Sequence, residues 1–292
     1  MSKQPTVLEF MERFPTDDAC LEHLMRVRYG DRHTCEKCGK SAHYYRVKSR
    51  PCYECEYCGY QVYPKVGTAF EKSSTSLRKW FYAMYLFCSS RHGVSGKELQ
   101  RQLGVTYKTA WRMAKLIREY MAQVDGDGPL DRNGPPVEMD ETFVGGKDKR
   151  GHEDKTIVMG MAQRGGEIIT RVIPNRFRST MMPHIRAAIP EGTRVMTDDM
   201  PTYRTLTNSG YRHESVNHSA KEYVRDDVHT NELEGFWSII KRSIRSTHVW
   251  VSPKHLASYL GAFEFVWNLR HQPALMFDLL LLAFPHPVKR QS

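Results

Sequence analysis

The stretch PVEMDETFVGG, residues 136–146, sets the fold expected for the second half of this 292-residue chain. Its alternation of apolar and polar residues is typical of a half-buried β-strand. Two more strand-like runs follow at 155–163 and 167–174, separated by glycine-containing turns. Residues 179–190 then have helical spacing, and TRVMTDD at 193–199 has the apolar face of a fourth strand. This order predicts three antiparallel strands, a crossover helix and a further strand in one mixed sheet.

Three acidic residues lie within or at the ends of these elements. Asp140 belongs to the first strand-like run, and Asp198 ends the fourth. Glu234 lies near the start of NELEGFWSIIKRSI, residues 231–244, whose apolar residues recur at helical spacing. If the first and fourth strands are neighbours, Asp140 and Asp198 come together and Glu234 completes a cluster. Each acid alone would more often make an ordinary turn or surface contact, but three clustered carboxylates can hold divalent ions for phosphoryl transfer on a nucleic acid.

The composition favours a polyanionic partner and gives no sign of a membrane span. The net charge is +10, and the sequence pI is about 9.2. No apolar run approaches the roughly 20 residues that a bilayer requires. The longest, LMFDLLLLAF at 275–284, indicates a buried helix or a subunit contact. The N-terminus lacks the basic start and apolar core of a signal peptide, so a cytoplasmic protein is expected.

Most of the seven cysteines fall in two neighbouring motifs, CEKCG at 35–39 and CYECEYCG at 52–59. Two Cys-x-x-Cys knuckles, each followed by glycine, predict a zinc ribbon rather than a disulfide framework or a redox pair. Two residues also separate Cys52 from Cys55, which leaves a Cys52/Cys55 knuckle as a second possibility. Gly59 occupies the same place as Gly39 and favours the first assignment, in which the zinc ligands are Cys35, Cys38, Cys55 and Cys58.

Between the cysteines and the strands, residues 75–90 and 94–121 have helical spacing. Ser95 is expected to cap a short helix that ends at Leu103, and Thr106 to cap a second one after a turn, which is the pattern of a helix-turn-helix. A plain helical hairpin would have a similar sequence and stays open as an alternative. The second helix presents side chains suited to phosphates and base edges, namely Tyr107, Lys108, Arg112 and Lys115.

Together these motifs resemble the insertion-sequence transposases of the DDE superfamily that carry a zinc-ribbon head and an Asn-x-x-Glu helix. The resemblance covers roughly residues 30–270. Besides the two knuckles, it rests on GTAFEKSSTSLRKWFYAMYL at 67–86, MDETFVGGK at 139–147, TDDMPTY at 197–203, VNHS at 216–219, HTNELEGFWSIIKR at 229–242 and VSPKHLASYL at 251–260.

The resemblance assigns the acids to a two-metal site. It implies that Asp140 and Asp198 bind two Mg²⁺ ions, for which Mn²⁺ would substitute, and that Glu234 completes the site. Because some members of this group use the helix asparagine instead, the resemblance leaves Asn231 as the rival third residue. Lys241, two turns beyond Glu234, would contact the DNA backbone near the scissile phosphate.

Asp198 has an acidic neighbour, Asp199, but the two are not equivalent. Adjacent strand residues face opposite sides of a sheet, so only one of them can point at the metals. In the family pattern, Thr-Asp is followed five residues later by a tyrosine, here Tyr203, and this selects Asp198.

The expected architecture is therefore multi-domain α+β: a zinc ribbon, a helix-turn-helix, then a ribonuclease-H-like mixed sheet flanked by helices. The expected segments are an N-terminal helical segment at 1–30, the ribbon at 31–65, a helical DNA-binding region at 66–123, a Gly/Pro/Asp-rich linker at 124–136 and the catalytic domain at 137–285. Double-stranded DNA, as terminal inverted repeats and target, is the expected partner. Joining two ends implies a homo-oligomer on DNA, in a bacterial cytoplasm and associated with the nucleoid when bound.

Two positions depart from the family pattern. Similar proteins often have Glu and Arg where this chain has Ala262 and Val266. The departure leaves open a second function, in which the chain is a zinc-ribbon DNA-binding regulator with a catalytically inactive transposase remnant.

Overall fold

The computed structural model describes residues 3–126, 128–147, 153–216 and 224–287. The chain forms two compact units. The first contains Met1–Ser90, Gly96–Val124 and His271–Ser292, and the second contains Arg91–Ser95 and Asp125–Arg270. No helix in the described ranges combines the length and hydropathy that crossing a bilayer requires.

The first unit begins with two capped helices, α1 (Val7–Arg13) and α2 (Asp17–Tyr29). Thr6 and Glu9 form a reciprocal capping box, and the Thr16 side chain accepts from the Ala19 N–H at 3.2 Å. Five short strands follow in two small antiparallel sheets: β1 (His33–Thr34) with β2 (Ser41–Ala42), and β3 (Tyr44–Val47), β4 (Cys52–Cys55) and β5 (Gln61–Val62) in that order.

Four further helices complete this unit: α3 (Leu77–Ser89), α4 (Gly96–Leu103), α5 (Tyr107–Asp125) and α9 (Pro273–Ala283). As predicted, α4 and α5 are separated by a short turn, in which Gly104 has a φ of 58°. Thr106 caps α5, since its hydroxyl oxygen accepts from the Thr109 N–H at 3.2 Å.

Helix α9 packs in the first unit, although the expected catalytic segment 137–285 contained it. Phe277 on α9 contacts Phe10 and Phe14 with ring centroids 5.8 and 6.1 Å apart. Phe284, just beyond α9, stacks on Tyr120 of α5 at 4.0 Å. The long apolar run near the C-terminus therefore closes the aromatic core of the first unit.

The second unit is built on a five-stranded mixed sheet. Its strands are β6 (Val137–Lys147), β7 (Glu153–Gln163), β8 (Ile168–Ile173), β9 (Arg194–Asp198) and β10 (Arg212–Val216), in the spatial order β10-β9-β6-β7-β8. The first three strands pair antiparallel, while β9 is parallel to β6 and β10 is parallel to β9. The predicted adjacency of the first and fourth strands is therefore present.

The sequence did not indicate the fifth strand. In RHESV of β10, only Val216 is buried, so the apolar alternation that marks a half-buried strand is missing. As the edge strand beside β9, β10 is held mainly by its main-chain ladder.

Helices cover both faces of this sheet, as expected for a mixed α+β architecture. Helix α6 (Arg178–Ala188) packs on one face through Met181 and Ile185, in a cluster with Val137 and Met139. Helices α7 (Asn231–Ser243) and α8 (Pro253–Asn268) cover the other face through a separate cluster that includes Leu233, Trp237, Leu256 and Leu260.

Gly160 of β7 lets α7 approach the sheet closely. A Cβ at this position would lie 2.5 Å from the Trp237 ring and 2.8 Å from Leu233. We expect Gly160→Ala to lower the free energy of unfolding by about 1–3 kcal/mol, because it overpacks the interface between helix and sheet.

Gly235→Ala is the matched control, measured beside Gly160→Ala by urea denaturation. Gly235 lies in α7 with nothing within 4 Å of an added Cβ. It should therefore raise stability by about 0.5–1 kcal/mol through helix propensity. Equal effects of the two substitutions would contradict this packing.

Candidate functional site

Four thiols of the small sheets come together. The sulfur atoms of Cys35, Cys38, Cys55 and Cys58 all lie within 4.8 Å of one another. The Sγ–Sγ separations are 3.6 Å for Cys35–Cys58 and 3.9 Å for Cys38–Cys55. Tetrahedral zinc with bonds of about 2.3 Å places its sulfur ligands about 3.8 Å apart. The donor set therefore fits a structural Zn²⁺ in both chemistry and spacing.

The two knuckles have the same backbone geometry. The Gly39 N–H donates to the Cys35 carbonyl at 2.8 Å, and the Gly59 N–H donates to the Cys55 carbonyl at 3.0 Å. Both glycines have positive φ values, 71° and 66°, which side chains disfavour. Cys52 is buried in β4 and does not belong to the thiol group.

The acids of the second unit lie on one face of its sheet. Strands β6 and β9 run parallel with Glu138 opposite Met196. Two residues further along each strand stand Asp140 and Asp198, which therefore share a face. Asp140 Oδ2 accepts from the indole N–H of Trp237 at 3.0 Å, and this contact ties it to α7. Trp237, which the sequence indicated only as a core residue, thus also orients the candidate metal ligand.

Helix α7 brings Glu234 and several cations to the same place. An open cavity of about 740 Å³ is lined by Asp140, Glu141, Thr142, Glu234, Trp237, Ser238, Lys241, Arg242, Arg245 and Ser246. Neither Asp198 nor Asn231 is among the described residues that line it. Arg242 and Arg245 were not singled out from the sequence. Arg242 directly follows Lys241, and Arg245 lies four residues after Lys241, a spacing that places both cations along α7 and its continuation.

The charges of the other two acids influence the pKa of Asp140. Burial, together with the negative charges of Asp198 and Glu234, raises the pKa of Asp140 to about 6. The hydrogen bonds from the Glu141 N–H and Trp237 oppose it. Among the residues that the structure describes, only the four thiols form a group of three or more possible ligands within 4.8 Å. The acids are therefore close enough to repel, but they do not form a closed cage.

Glu141 faces the other side of β6. It accepts a hydrogen bond from the hydroxyl of Tyr203, which is buried in the α6-side core. Burial, together with the negative charges of Asp140 and Asp198, raises the pKa of Glu141 to about 8, while the positive charge of Arg176 opposes this shift. Tyr203 therefore contacts the strand that carries Asp140, one residue away from it.

A fully buried carboxylate, Glu138, fixes the start of α7. Its side chain is 0 % exposed, and its Oε2 accepts from the N–H groups of Glu232 and Leu233 at 2.9 and 3.4 Å. Its Oε1 accepts from Arg164 Nε at 2.8 Å. The negative charge lies at the positive end of the helix dipole. Because Glu138 is two residues before Asp140, strand alternation could have placed it on this face, but its role depends on α7.

The second helix of the α4–α5 pair exposes most of the predicted DNA-contacting side chains. Tyr107, Lys108 and Arg112 are exposed on α5. Lys115 is half-buried and pairs with Glu119, with 3.5 Å between Nζ and Oε1. His218 of the VNHS motif lies outside the described residues.

The two positions that depart from the resemblance lie in α8. Ala262 is buried and Val266 is half-buried. Between them, Glu264 is buried and accepts from the Thr170 N–H of β8 at 3.1 Å. This glutamate anchors α8 to the sheet edge and lies outside the cavity that Asp140 lines.

A family model described as the ISXO2-like transposase domain matches residues 132–268, and one described as the transposase zinc-ribbon domain matches residues 15–61. An uncharacterized protein in transposable element ISH50 of Halobacterium salinarum is 32% identical over 243 residues, 75% of this chain and 79% of the relative. The chain belongs to the ISXO2-like transposases. An uncharacterized transposase-like protein of Haemophilus influenzae is 28% identical over 102 residues, 35% of this chain and 81% of the relative.

The matched ranges follow the structure closely. The transposase match spans the mixed sheet, α6, α7 and α8. The zinc-ribbon match, residues 15–61, includes α2, which lies within the expected N-terminal segment 1–30.

Zinc content tests the metal assignment in this transposase chain. We expect about one Zn²⁺ per chain, measured by elemental analysis, with loss of that zinc in Cys58→Ser because three thiolates cannot close the tetrahedron. Cys52→Ala should keep the zinc. The reverse result would support the Cys52/Cys55 knuckle instead.

Glu138→Gln tests the anchoring of α7 in the transposase domain. The substitution leaves Arg164 and the two α7 N–H groups without a buried charge, so we expect the free energy of unfolding to fall by about 3 kcal/mol in urea denaturation. Glu214→Gln is the control, since Glu214 pairs with Arg194 while 39% exposed, and it should cost less than about 1 kcal/mol. A smaller loss for Glu138→Gln than for the control would contradict the anchoring role.

Proposed function

We propose that this chain is a DDE transposase, which cleaves DNA at the ends of its own element and joins those ends to a target by two-metal phosphoryl transfer. One observation carries the proposal: the carboxylate of Asp140, whose pKa is raised by burial and by the charges of Asp198 and Glu234, opens into a cavity that three cationic side chains also line. Carboxylates that can bind metal ions and cationic side chains that can bind phosphates therefore line the same cavity.

The strand order supports a ribonuclease-H-like fold for the second unit. Three antiparallel strands are extended on the β6 side by two parallel strands, with helices on both faces. In this arrangement the acids of β6 and β9 lie on neighbouring strands, and α7 supplies the third from the helix layer.

The donor set suits Mg²⁺ or Mn²⁺. Mg²⁺ is commonly bound by one or two carboxylates together with water and substrate phosphate oxygens, so a closed protein cage is not required. Asp140 and Asp198, with Glu234 opposite, would hold the ions. When bound, the two ions would activate the attacking water or DNA 3′-hydroxyl and stabilise the leaving oxygen.

The side chains around the acids prepare this site for a phosphodiester. Trp237 holds one oxygen of Asp140 by its indole N–H and leaves the other oxygen free of that contact. Lys241, Arg242 and Arg245 supply positive charge along the cavity wall, where a DNA backbone would otherwise meet the carboxylates.

Glu234 is the preferred third residue, with Asn231 as the rival. Glu234 lines the cavity with Asp140, and its charge contributes to the raised pKa of Asp140. Asn231 is the first residue of α7, exposed, with its backbone N–H toward His229 Nδ1 at 3.4 Å.

DNA recognition would fall to the first unit. The zinc ribbon and a helix-turn-helix formed by α4 and α5 are proposed to bind the terminal inverted repeats, with Tyr107, Lys108 and Arg112 toward the DNA. Lys115 would also contact the DNA once its ion pair with Glu119 is broken. Joining two ends requires two active sites, so we propose a homo-oligomer assembled on DNA.

A nicking assay on duplexes that carry the element ends tests the catalytic site. With Mg²⁺ or Mn²⁺ we expect strand cleavage at the ends, and none in EDTA. Asp140→Asn, Asp198→Asn and Glu234→Gln should each reduce the rate on the order of 100-fold or more, because each removes charge that holds the ions.

Asp199→Asn is the matched control and should leave the cleavage rate close to that of the wild type. If Asn231→Ala abolishes cleavage while Glu234→Gln does not, the third ligand is reassigned. Specific binding of the ends without cleavage by the wild type would support the regulator with an inactive transposase remnant.

A further inference from the structure

A two-residue tip projects from the second unit just beyond α7. The helix continues through a π-helical turn, Ile244–His248, and then ends abruptly. The next two side chains are large, apolar and exposed: Val249 is 79% and Trp250 is 63% exposed. Among the described aromatic side chains of this unit, Phe177 alone is more exposed than Trp250.

The tip is strained. Val249 has a φ of 64° and a ψ of −48°, a conformation that a β-branched residue strongly disfavours. Such strain persists only where the surrounding structure imposes it, and it concentrates at functional positions.

Firm contacts on both sides impose this conformation. Before the tip, the His248 ring packs edge-on against Tyr259 with centroids 4.8 Å apart, and it lies where Gly93 leaves room for it. After the tip, Val251 is buried in the core beneath α7 and α8. The Trp250 N–H donates to the His248 carbonyl at 2.7 Å and closes a tight turn. The indole is therefore held out from the surface by a rigid base.

The charged side chains that flank the tip along the chain are all basic. Residues 235–263 contain Lys241, Arg242, Arg245 and Lys254 and no acidic residue. Lys241, Arg242 and Arg245 are exposed, and none has an ion-pair partner among the described residues. Arg245 and Ser246 also line the cavity that holds Asp140. The tip therefore follows directly from the wall of the candidate active site.

We propose that Val249 and Trp250 form a wedge that enters the base stack of the element end beside the cleaved strand, with the Trp250 indole stacking on the base it displaces. The proposal rests on the proposed function, because it places DNA in the Asp140 cavity. Proteins that open a duplex insert apolar side chains between bases, and aromatic rings compensate for lost base stacking.

DNA is the occupant that the charge favours. Two apolar side chains are far too few for a stable protein interface, which needs roughly 20–30 residues on each side. Three exposed cations on the helix that leads to an exposed aromatic side chain instead suit a polyanion that offers flat bases.

The experiment uses the full chain and two duplexes that carry the element end, each with 2-aminopurine beside the cleavage position. One duplex is fully paired, and the other has a mismatch at that base. We expect the wild type to increase 2-aminopurine fluorescence and to bind the mismatched end more tightly. Trp250→Ala should abolish the fluorescence change and weaken binding of the mismatched end by roughly 5- to 150-fold, the range expected for one stacked base.

Trp250→Phe should retain much of the signal, because a smaller ring still stacks. Leu282→Ala, which removes an exposed apolar side chain in the first unit, is the control and should behave like the wild type. Thermal denaturation of each variant verifies folding. If the wild type cleaves the ends and Trp250→Ala keeps both the fluorescence change and the preference for the mismatched end, the wedge is refuted while the proposed function stands. If the wild type neither binds nor cleaves the ends, the proposed function fails instead.

Discussion

The candidate site depends on one buried contact, the carboxylate of Glu138 at the N-terminus of α7. A charge at zero exposure is costly unless it is fully paired, and here two helix N–H groups and Arg164 pair it. The contact fixes where α7 begins on β6, and so how far along the sheet its side chains reach. The Trp237–Asp140 hydrogen bond, the place of Glu234 and the basic wall of the cavity all follow from that position.

Local patterns predicted the elements better than the contacts between them. The knuckle spacing predicted which thiols converge, because two tight turns offer few other arrangements. Alternation and helical spacing likewise predicted the strands that carry Asp140 and Asp198. The edge strand β10 was missed because only Val216 of its residues is buried, so the strand is held by main-chain pairing with β9 rather than by an apolar pattern. Glu138 was missed because its partner lies 94 residues away, and no local pattern shows a carboxylate under a helix terminus.

Helix α7 carries acidic side chains in its first turn and basic side chains in its last turn. Its first turn carries Glu234 beside Asp140, while every charged residue in its last turn and in the segment beyond is basic. The helix dipole favours this order at both ends, since acids are stabilised at an N-terminus and bases at a C-terminus. The same short element can therefore repel Asp140 at one end and attract a polyanion at the other without loss of helix stability.

The division of the chain also constrains its synthesis. The first unit is assembled from segments on both sides of the second, and Phe277 and Phe284 of its last segment complete the aromatic core begun by Phe10 and Phe14. A ribosome delivers that segment only after the whole mixed sheet has been made. The aromatic core of the first unit can therefore be completed only after the second unit has been translated, although most of the first unit is translated before it.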